Sequence, residues 1–419
     1  MTFRLKTSLQ PLAALADQVL LSLLNFAIAL AFILGTSKVE YGYYLLLVTP
    51  LLLVQSIQNA LVISPLSTVL PAASEKDRPA LRETASTIHF FIALVAGGVG
   101  LIGFQAYEQV SGGNYPAVLH IGFAAAIVGT VAREAQRSFA YAEGRGVRAL
   151  GGDIAYGISL LAGIGFLLAQ HQLTAGGVLL VTGIAGLAPL LVRVRQFPRF
   201  AMERGAALRF WQCGRWALPS VVVTWATLNS SPYFAGIHLS IAAVADIGAA
   251  RLFLMPVALA MTAWSNWYRP RISHLCASNP TAQVRAITHV SVLAAGIGLG
   301  LLAAMVIFLY PLVEHMLGEE YVGLRALILM WLVYFALALA RTFHMATLMS
   351  DAQGYKTLHH ISWGALLVSL FGLLAFSANG ALWIVGVLCV VEGVQLVLVA
   401  TRAHRYWKRD AAGEAPCLS

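Results

Sequence analysis

The sequence contains little charge and little cysteine. Only 11% of its 419 residues are Asp, Glu, Lys or Arg, against roughly a quarter in an ordinary soluble domain. Its four cysteines are scattered, without the spacing of a disulfide scaffold or a zinc site. The sequence also lacks a glycine-rich phosphate loop, an HExxH helix and a nucleophile motif. These absences argue against an enzyme and an ATP-hydrolysing pump, and we expect no catalytic residue, metal site or cofactor.

Apolar residues dominate the composition instead. Hydrophobic residues make up 59% of the chain, and the mean hydropathy is +0.77. Because a helix needs about 20 apolar residues to cross the hydrocarbon, 419 residues with short loops accommodate roughly a dozen crossings. The first apolar run, Leu12–Leu34, is too long for a cleavable signal segment. The composition therefore predicts an all-α polytopic membrane protein without a sizeable soluble domain.

The apolar runs and the basic residues together predict a topology. We place twelve spans at about 12–34, 42–64, 86–107, 117–139, 150–169, 176–194, 216–235, 241–267, 287–309, 325–349, 360–376 and 381–400. Lys and Arg are concentrated at both ends and in alternate connections, whereas the opposite connections contain only Lys38. Basic residues collect on the cytoplasmic side, so both termini are expected in the cytoplasm. Topology also accounts for the net charge of +9 without a nucleic-acid partner.

The two halves of the chain resemble each other at an offset near half its length. At 206 residues, Glu40, Gly42 and Pro50 align with Asp246, Gly248 and Pro256; at 208 residues, Ala132, Arg133, Glu143, Gly146, Arg148 and Leu150 align with Ala340, Arg341, Asp351, Gly354, Lys356 and Leu358. Six spans is an even number, so both halves enter the membrane from the same side. The pattern predicts two six-helix lobes in a parallel repeat, an architecture that places a transporter's substrate site at the repeat interface.

The repeat predicts a domain organisation. We divide the chain into an N-lobe (1–194), a basic cytoplasmic linker (195–215), a C-lobe (216–401) and a cytoplasmic tail (402–419). The linker region combines arginines with phenylalanine and tryptophan, which is typical of a segment lying on anionic lipid. An ordinary loop that only sets orientation is the alternative.

Arginines are the most prominent charges inside the predicted spans. Arg251 lies near the middle of the eighth span, too deep to reach the interface easily. Arg341 lies in the inner half of the tenth span, and its repeat mate Arg133 lies at like depth in the fourth. Arg137 shares a helix face with Arg133, four residues earlier. The two halves thus carry basic groups at matching depth, which could converge on a central cavity.

Two interpretations of these arginines are open. The planar guanidinium group suits phosphate, so Arg251, Arg341, Arg133 and Arg137 are candidates for binding an anionic group. Alternatively, Arg133 and Arg137 extend to the cytoplasmic interface, or Arg133 pairs with Glu134.

Carboxylates and amides form a second set of candidates. Asp17 and Asn25 are eight residues apart on the first span, so we expect them to share a face. Asp246 lies five residues before Arg251 and points to a different face, and Glu392 lies in the middle of the twelfth span. These four residues are candidates for proton coupling or for lining a cavity. For Glu392 the alternative is a hydrogen bond between packed helices, and for Asp17 it is pairing with a nearby arginine or capping of a helix start. A further polar stripe on the second span consists of Gln55, Gln58 and Asn59.

Two segments carry a resemblance to a known family. The first contains Asp17-Gln18, Ser22, Asn25-Phe26 and then Glu40-Tyr41-Gly42-Tyr43-Tyr44. The second reads Arg-Glu-Ala-Gln-Arg-Ser-Phe-Ala-Tyr-Ala-Glu-Gly-Arg from Arg133, followed by Ala149-Leu150 and Asp153. Together with the span count, they resemble the polysaccharide-type members of the multidrug/oligosaccharidyl-lipid/polysaccharide (MOP) flippase superfamily, the Wzx-type O-antigen transporters.

The resemblance implies a fold, a cargo and partners. It implies a V-shaped pair of six-helix lobes around a central cavity with a cationic lumen. The implied cargo is an undecaprenyl-diphosphate-linked oligosaccharide, moved across a bacterial inner membrane for assembly of surface polysaccharide, with a proton or sodium gradient as the energy source. Membrane lipids, a polysaccharide polymerase and chain-length proteins are the implied partners.

Three hypotheses remain open from the sequence. In the first, Arg251, Arg341 and Arg133 bind the diphosphate of the flipped lipid, and a carboxylate such as Glu392 couples an ion. In the second, the chain is a cation or drug antiporter on the same fold. In the third, it is a non-transporting membrane scaffold of a polysaccharide assembly complex, and the deep arginines contact helices instead of a cavity.

Overall fold

The computed structural model describes residues 2–111, 116–191, 200–261, 264–265, 268, 272, 281–317, 321, 323–349 and 352–411, and these residues form helices and turns without a β-strand. The α-helices are α1 (Thr2–Gly35), α2 (Lys38–Gln58), α3 (Ser64–Ala72), α4 (Arg78–Ser111), α5 (Ala117–Ala142), α6 (Gly146–Ala169), α7 (Ala175–Leu191), α8 (Arg204–Asn229), α9 (Ser231–His238), α10 (Ile241–Leu252), α11 (Met255–Met261), α12 (Thr281–Leu317), α13 (Arg325–Leu348), α14 (Ala352–Phe376) and α15 (Ala381–Ala411). The all-α class is confirmed.

The described helices account for the predicted spans. Nine of them are long and apolar enough to cross a membrane, or ten if one bent pair is a single span. The sixth and seventh predicted spans fall on two shorter apolar helices, Ala175–Leu190 and Ala217–Asn229. The chain is a multi-pass membrane protein. Its sidedness stays a prediction.

Two spans depart from a regular α-helix. Between α2 and α3 the backbone forms a π-helical turn, Asn59–Ile63, and the apolar stretch continues over Lys38–Pro71. The eighth predicted span is broken, since α10 and α11 meet at 57°. Pro256 lies at the start of α11 and has no N–H to donate, which favours this break.

The chain divides into two compact units, Met1–Trp225 and Ala226–Ser419, which we call the N unit and the C unit. In the N unit, α5 packs on α4 and α7, and α6 packs on α7. In the C unit, α13 packs on α12 and α15, and α14 packs on α15. Helices α4–α7 and α12–α15 therefore have the same order of neighbours in the two units.

The unit boundary differs from the lobe boundary expected from sequence. It lies within α8, which begins at Arg204, inside the predicted linker. Linker residues 195–199 and tail residues 412–419 lie outside the described residues, as does Asp351 of the repeat alignment. The predicted domain limits stay a prediction.

Small residues bring α5 and α7 close together. A Cβ atom built on Gly129 would overlap the carbonyl of Gly183, and one built on Gly122 would overlap the carbonyl of Gly176. Two helices approach this closely only where no side chain stands between their backbones. In lipid such close packing stabilises the pair, because the hydrophobic effect does not drive membrane helices together. This contact fixes α5, which carries the charged residues of the N unit.

Candidate functional site

A partly buried cluster of charged residues joins three helices of the N unit. We call it the N-unit carboxylate cluster, and it consists of Asp17 on α1, Arg133, Glu134 and Arg137 on α5, and Asp153 on α6. Arg137 donates from Nε to Asp17 Oδ2 at 2.9 Å, and its NH2 lies 2.8 Å from the same oxygen. The Nε atom also lies 3.2 Å from Asp153 Oδ2. Arg137 therefore bridges two carboxylates from different helices.

Arg133 completes the cluster. Its NH2 group donates to Glu134 Oε1 at 2.7 Å, and its Nε lies 3.9 Å from Asp153 Oδ1. Its guanidinium carbon lies 4.4 Å from the centroid of the Tyr156 ring, a cation–π contact. The pairing of Arg133 with Glu134, one of the two alternatives left open by the sequence, is observed.

The cluster carries more acid than base. Three carboxylates, Asp17, Glu134 and Asp153, face two guanidinium groups. Asp17 is 0% exposed and Asp153 is 1% exposed. Within the described part of the chain, Asp17 Oδ1 and Asp153 Oδ2 accept no hydrogen bond. A proton or a monovalent cation would compensate the surplus negative charge, which is costly to bury alone.

The described residues contain no group of three or more His, Cys, Asp or Glu arranged to hold a metal ion. Tyr141 donates its hydroxyl hydrogen to Asp17 Oδ2 at 2.6 Å and so holds that carboxylate in place. A proton shared among these oxygens fits the arrangement better than a multivalent cation.

The C unit contains a second cluster of opposite charge balance. We call it the C-unit arginine cluster, and it consists of Arg251, Trp331, Tyr334, Arg341 and Glu392. Arg341 Nε donates to Glu392 Oε2 at 2.6 Å and its NH2 donates to Oε1 at 3.2 Å, a bidentate pair. The Tyr334 hydroxyl donates to Glu392 Oε1 at 3.4 Å. Glu392 is buried and joins α15 to α13.

Arg251 lies in the last turn of α10, at the break in the eighth span, and its side chain is exposed. Its guanidinium carbon lies 5.5 Å from the centroid of the Trp331 ring. The Trp331 indole donates to the backbone carbonyl of Ile247 at 3.1 Å, which fixes the ring against α10. Arg251 forms no ion pair with a described carboxylate, so the cluster has two guanidinium groups and one carboxylate.

The structure brings some predicted site residues together and separates others. Arg133, Arg137 and Asp17 meet in one cluster. Asn25 is exposed although Asp17 is buried, in contrast to the shared face expected from sequence. Eight residues leave about 80° of rotation on a helix, enough to separate the two environments. Asp246 is half-buried on α10, five residues before Arg251.

Other residues of the clusters were not predicted. Asp153, Tyr141 and Tyr334 were not candidates, although a carboxylate within the apolar run of α6 is a signal that could have singled out Asp153. Glu392 was predicted on depth alone, and the structure adds that Arg341 neutralises it. The repeat mates Arg133 and Arg341 therefore pair with carboxylates from helices that are not equivalent in the repeat.

Comparison with solved structures identifies the fold. An inward-facing multidrug resistance MATE family transporter of the MOP superfamily matches with a TM-score of 0.77 and 11% identity, over 93% of this chain and 96% of that chain. Lipid II flippase MurJ in an inward closed conformation matches with a TM-score of 0.71 and 10% identity, over 96% and 90%.

A MOP superfamily transporter from Pyrococcus furiosus Vc1, noted for the reverse polarity of its binding pocket, matches with a TM-score of 0.65 and 10% identity, over 96% of this chain and 95% of that chain. No family model and no curated protein matches the sequence. The chain therefore has the fold of the MOP superfamily transporters, in agreement with the superfamily that its motifs resemble.

Proposed function

We propose that this protein is a transporter that flips an undecaprenyl-diphosphate-linked oligosaccharide across the bacterial inner membrane by alternating access, for the assembly of surface polysaccharide. The observation that carries the proposal is the positive charge balance of the C-unit arginine cluster. Among the described residues the exposed Arg251 guanidinium group has no carboxylate partner, and a guanidinium group within a membrane span is costly unless it faces water or an anion.

The donors of this cluster suit a diphosphate. Arg251 offers its guanidinium fork, which is held beside Trp331. Arg341 uses two nitrogens on Glu392. Among the described residues its NH1 group donates to the Met345 sulfur alone, at 3.6 Å, and sulfur is a weak acceptor. One further donor is therefore available to a phosphate oxygen. We assign Arg251 and Arg341 to the anionic group of the cargo.

Arg133 and Arg137 have a different assignment. Both guanidinium groups already face carboxylates, so an approaching diphosphate would have to displace Asp17, Glu134 or Asp153. We assign the N-unit carboxylate cluster to energy coupling. Protonation of its surplus carboxylate neutralises the cluster, whereas release of the proton restores the negative charge. This change in charge is the physical event that a proton gradient can bias.

The printed name of one solved structure also favours a lipid cargo. MurJ is named a lipid II flippase, and it shares the fold over nearly the whole chain. A polyprenyl diphosphate carrying a sugar combines an anion for the arginine cluster with a tail that remains in lipid. Such a lipid-linked cargo would reach the protein from within the membrane. A polysaccharide polymerase and chain-length proteins remain proposed partners.

A cation or drug antiporter is the second candidate. The acidic surplus of the N-unit carboxylate cluster favours it, because an organic cation would also compensate that charge. The multidrug resistance transporters with the same fold are consistent with it. Resistance to organic cations in a pump-deficient host, together with absent lipid transfer, would select this function over the first.

Replacement of Arg251 tests the proposed function. We expect Arg251→Gln to lower transfer of a labelled prenyl-diphosphate oligosaccharide across proteoliposomes by roughly 10- to 150-fold, since a hydrogen bond to a charged group contributes about 1.5–3 kcal/mol. Transfer is read as accessibility of the sugar to an impermeant lectin. Arg325→Gln, which removes an exposed arginine at the start of α13, is the matched control. If Arg251→Gln transfers the lipid as fast as the wild type, Arg251 does not bind the anionic group of the cargo.

A further inference from the structure

The N unit contains a polar pocket between α2 and α5 that neither proposed role of the charged clusters uses. It has a volume of about 360 Å³ and is lined by Gln55, Ser56, Asn59, Ile63, Glu134 and Arg137. We call it the amide pocket. Its size falls within the range of small-molecule sites, about 300–1,000 Å³. Its lining is mostly hydrogen-bonding groups within an apolar stretch of α2 and α5.

The wall formed by α2 is held rigidly. Gln58 is 0% exposed, and its Nε2 donates to the carbonyl of Val131 at 3.0 Å and to His89 Nδ1 at 3.0 Å. These bonds tie α2 to α5 and α4. Directly after Gln58 the backbone changes to the π-helical turn. Single π-helical turns inside helices occur frequently at functional sites, because the wider turn redirects side chains.

Two amide side chains of this wall have no hydrogen-bond partner among the described residues. Gln55 is half-buried and Asn59 is exposed, and they lie four residues apart on one face. No described residue forms a hydrogen bond with either side chain, whereas Gln58 between them has two partners. An amide side chain without a hydrogen-bond partner is costly in a membrane span, because the hydrocarbon offers neither donor nor acceptor. A polar ligand in the pocket would supply the missing partner. Each amide can both donate and accept.

The facing wall, on α5, carries charges that are already paired. Glu134 Oε1 accepts from Arg133 NH2 at 2.7 Å, and its Oε2 accepts from Arg137 NH1 at 3.4 Å. Both wall residues, Glu134 and Arg137, belong to the N-unit carboxylate cluster, whose net negative charge disfavours an anion here, so the pocket does not suit the diphosphate. The lining contains no aromatic ring, which an organic cation would prefer. A neutral ligand with several hydroxyl groups fits these walls.

We propose that the amide pocket is a subsite for a neutral saccharide ring of the transported molecule. Gln55 and Asn59 would exchange hydrogen bonds with its hydroxyl groups, and the paired Glu134 and Arg137 would offer an acceptor and a donor. This inference rests on the proposed function for the identity of the cargo. The six described residues that line the pocket all belong to the N unit.

Binding to the full-length protein in nanodiscs tests the inference with two lipid probes. The probes are farnesyl diphosphate and the same lipid carrying N-acetylglucosamine. For Gln55→Leu/Asn59→Leu we expect the Kd of the sugar-bearing probe to rise about 10- to 100-fold, as two sets of hydrogen bonds are lost, and the Kd of the bare probe to stay unchanged. Gln105→Leu, at an exposed amide on α4, is the control.

Several outcomes would overturn the inference. One is an equal change for both probes, and another is no change for either. A third is a selective loss of tetraphenylphosphonium binding, which would assign the pocket to organic cations. If the double variant does not fold, photocrosslinking replaces it, with benzoylphenylalanine introduced in place of Ile63. The inference then requires a crosslink to the sugar-bearing probe and none to the bare probe, and any other result overturns it.

A failure of the proposed flippase function can be distinguished from a failure of the saccharide subsite. If the wild type binds neither lipid, the flippase proposal fails, and methyl N-acetylglucosaminide observed by saturation-transfer NMR decides the pocket. A signal that the double variant loses and Gln105→Leu retains would support the saccharide subsite. If the wild type gives no saturation-transfer signal, the saccharide subsite is overturned.

Discussion

Arg133 and Arg341 occupy matching positions in the two halves of the sequence, yet their carboxylate partners come from different places. Arg133 pairs with Glu134 on its own helix and lies near Asp153 on α6. Arg341 pairs with Glu392 on α15. The same residue type therefore contributes to an acidic cluster in one half and to a basic cluster in the other.

The pair of Arg341 and Glu392 gives a prediction about stability. Arg341→Met should destabilise the protein by about 3–5 kcal/mol, because Glu392 is left buried without its counter-charge. Arg341→Met/Glu392→Leu should recover most of that loss while binding of farnesyl diphosphate is reduced. Thermal unfolding in nanodiscs measures the first effect. If the single variant is as stable as the wild type, the carboxylate does not depend on this pair.

Asp153 gives a prediction about energy coupling. Asp153→Asn removes the surplus charge of the N-unit carboxylate cluster, so an imposed pH gradient should no longer accelerate lipid transfer in proteoliposomes. Binding of the lipid should be unchanged, because the proposed anion site lies in the C unit. Asp77→Asn, at an exposed carboxylate before α4, is the control. A full response of Asp153→Asn to the gradient would argue against coupling at this cluster.

At the scale of elements, irregular backbone accompanies the charged residues. The break between α10 and α11 follows Arg251 directly, and the π-helical turn begins at Asn59. Discontinuous helices are common at transporter binding sites, because the freed backbone groups and the redirected side chains need polar surroundings. Both proposed ligand sites are therefore associated with departures from a regular helix.

The packing of α5 on α7 gives a prediction of its own. Gly129→Ala should destabilise the N unit by about 1–3 kcal/mol, because its Cβ would overlap the carbonyl of Gly183. Gly98→Ala on α4 should be neutral or stabilising by up to about 1 kcal/mol, since nothing lies within 4 Å of its added Cβ. Thermal unfolding of the two variants compares them directly. Equal stabilities would mean that α5 and α7 can separate at little cost.

At the scale of the whole molecule, each unit has its own charge balance. The N-unit carboxylate cluster sets three carboxylates against two guanidinium groups, and the C-unit arginine cluster sets two guanidinium groups against one carboxylate. Under the proposed function, the first cluster takes up a proton and the second binds the anionic group of the cargo. The sequence repeat alone predicts basic groups at matching depth in the two halves, which could converge on one central cavity.

Hydrophobic length determined most of the fold from the sequence. An apolar run near 20 residues favours a helix in lipid, so the predicted spans fall on described helices, the eighth of them on the bent pair α10 and α11. The helix ends were less predictable. Both α4 and α14 begin well before their predicted spans because polar residues continue a helix outside the hydrocarbon, where hydropathy carries no signal.

The sequence by itself determined the membrane class, the repeat and the presence of deep charges, because these depend on composition and spacing along one helix. Only the tertiary structure decided which charges meet. Arg137 and Asp17 are separated by 120 residues and become partners through the packing of α1, α5 and α6. Spacing predicts neighbours on one helix face, whereas pairing between helices depends on how those helices pack, which also leaves Arg251 without a described carboxylate partner.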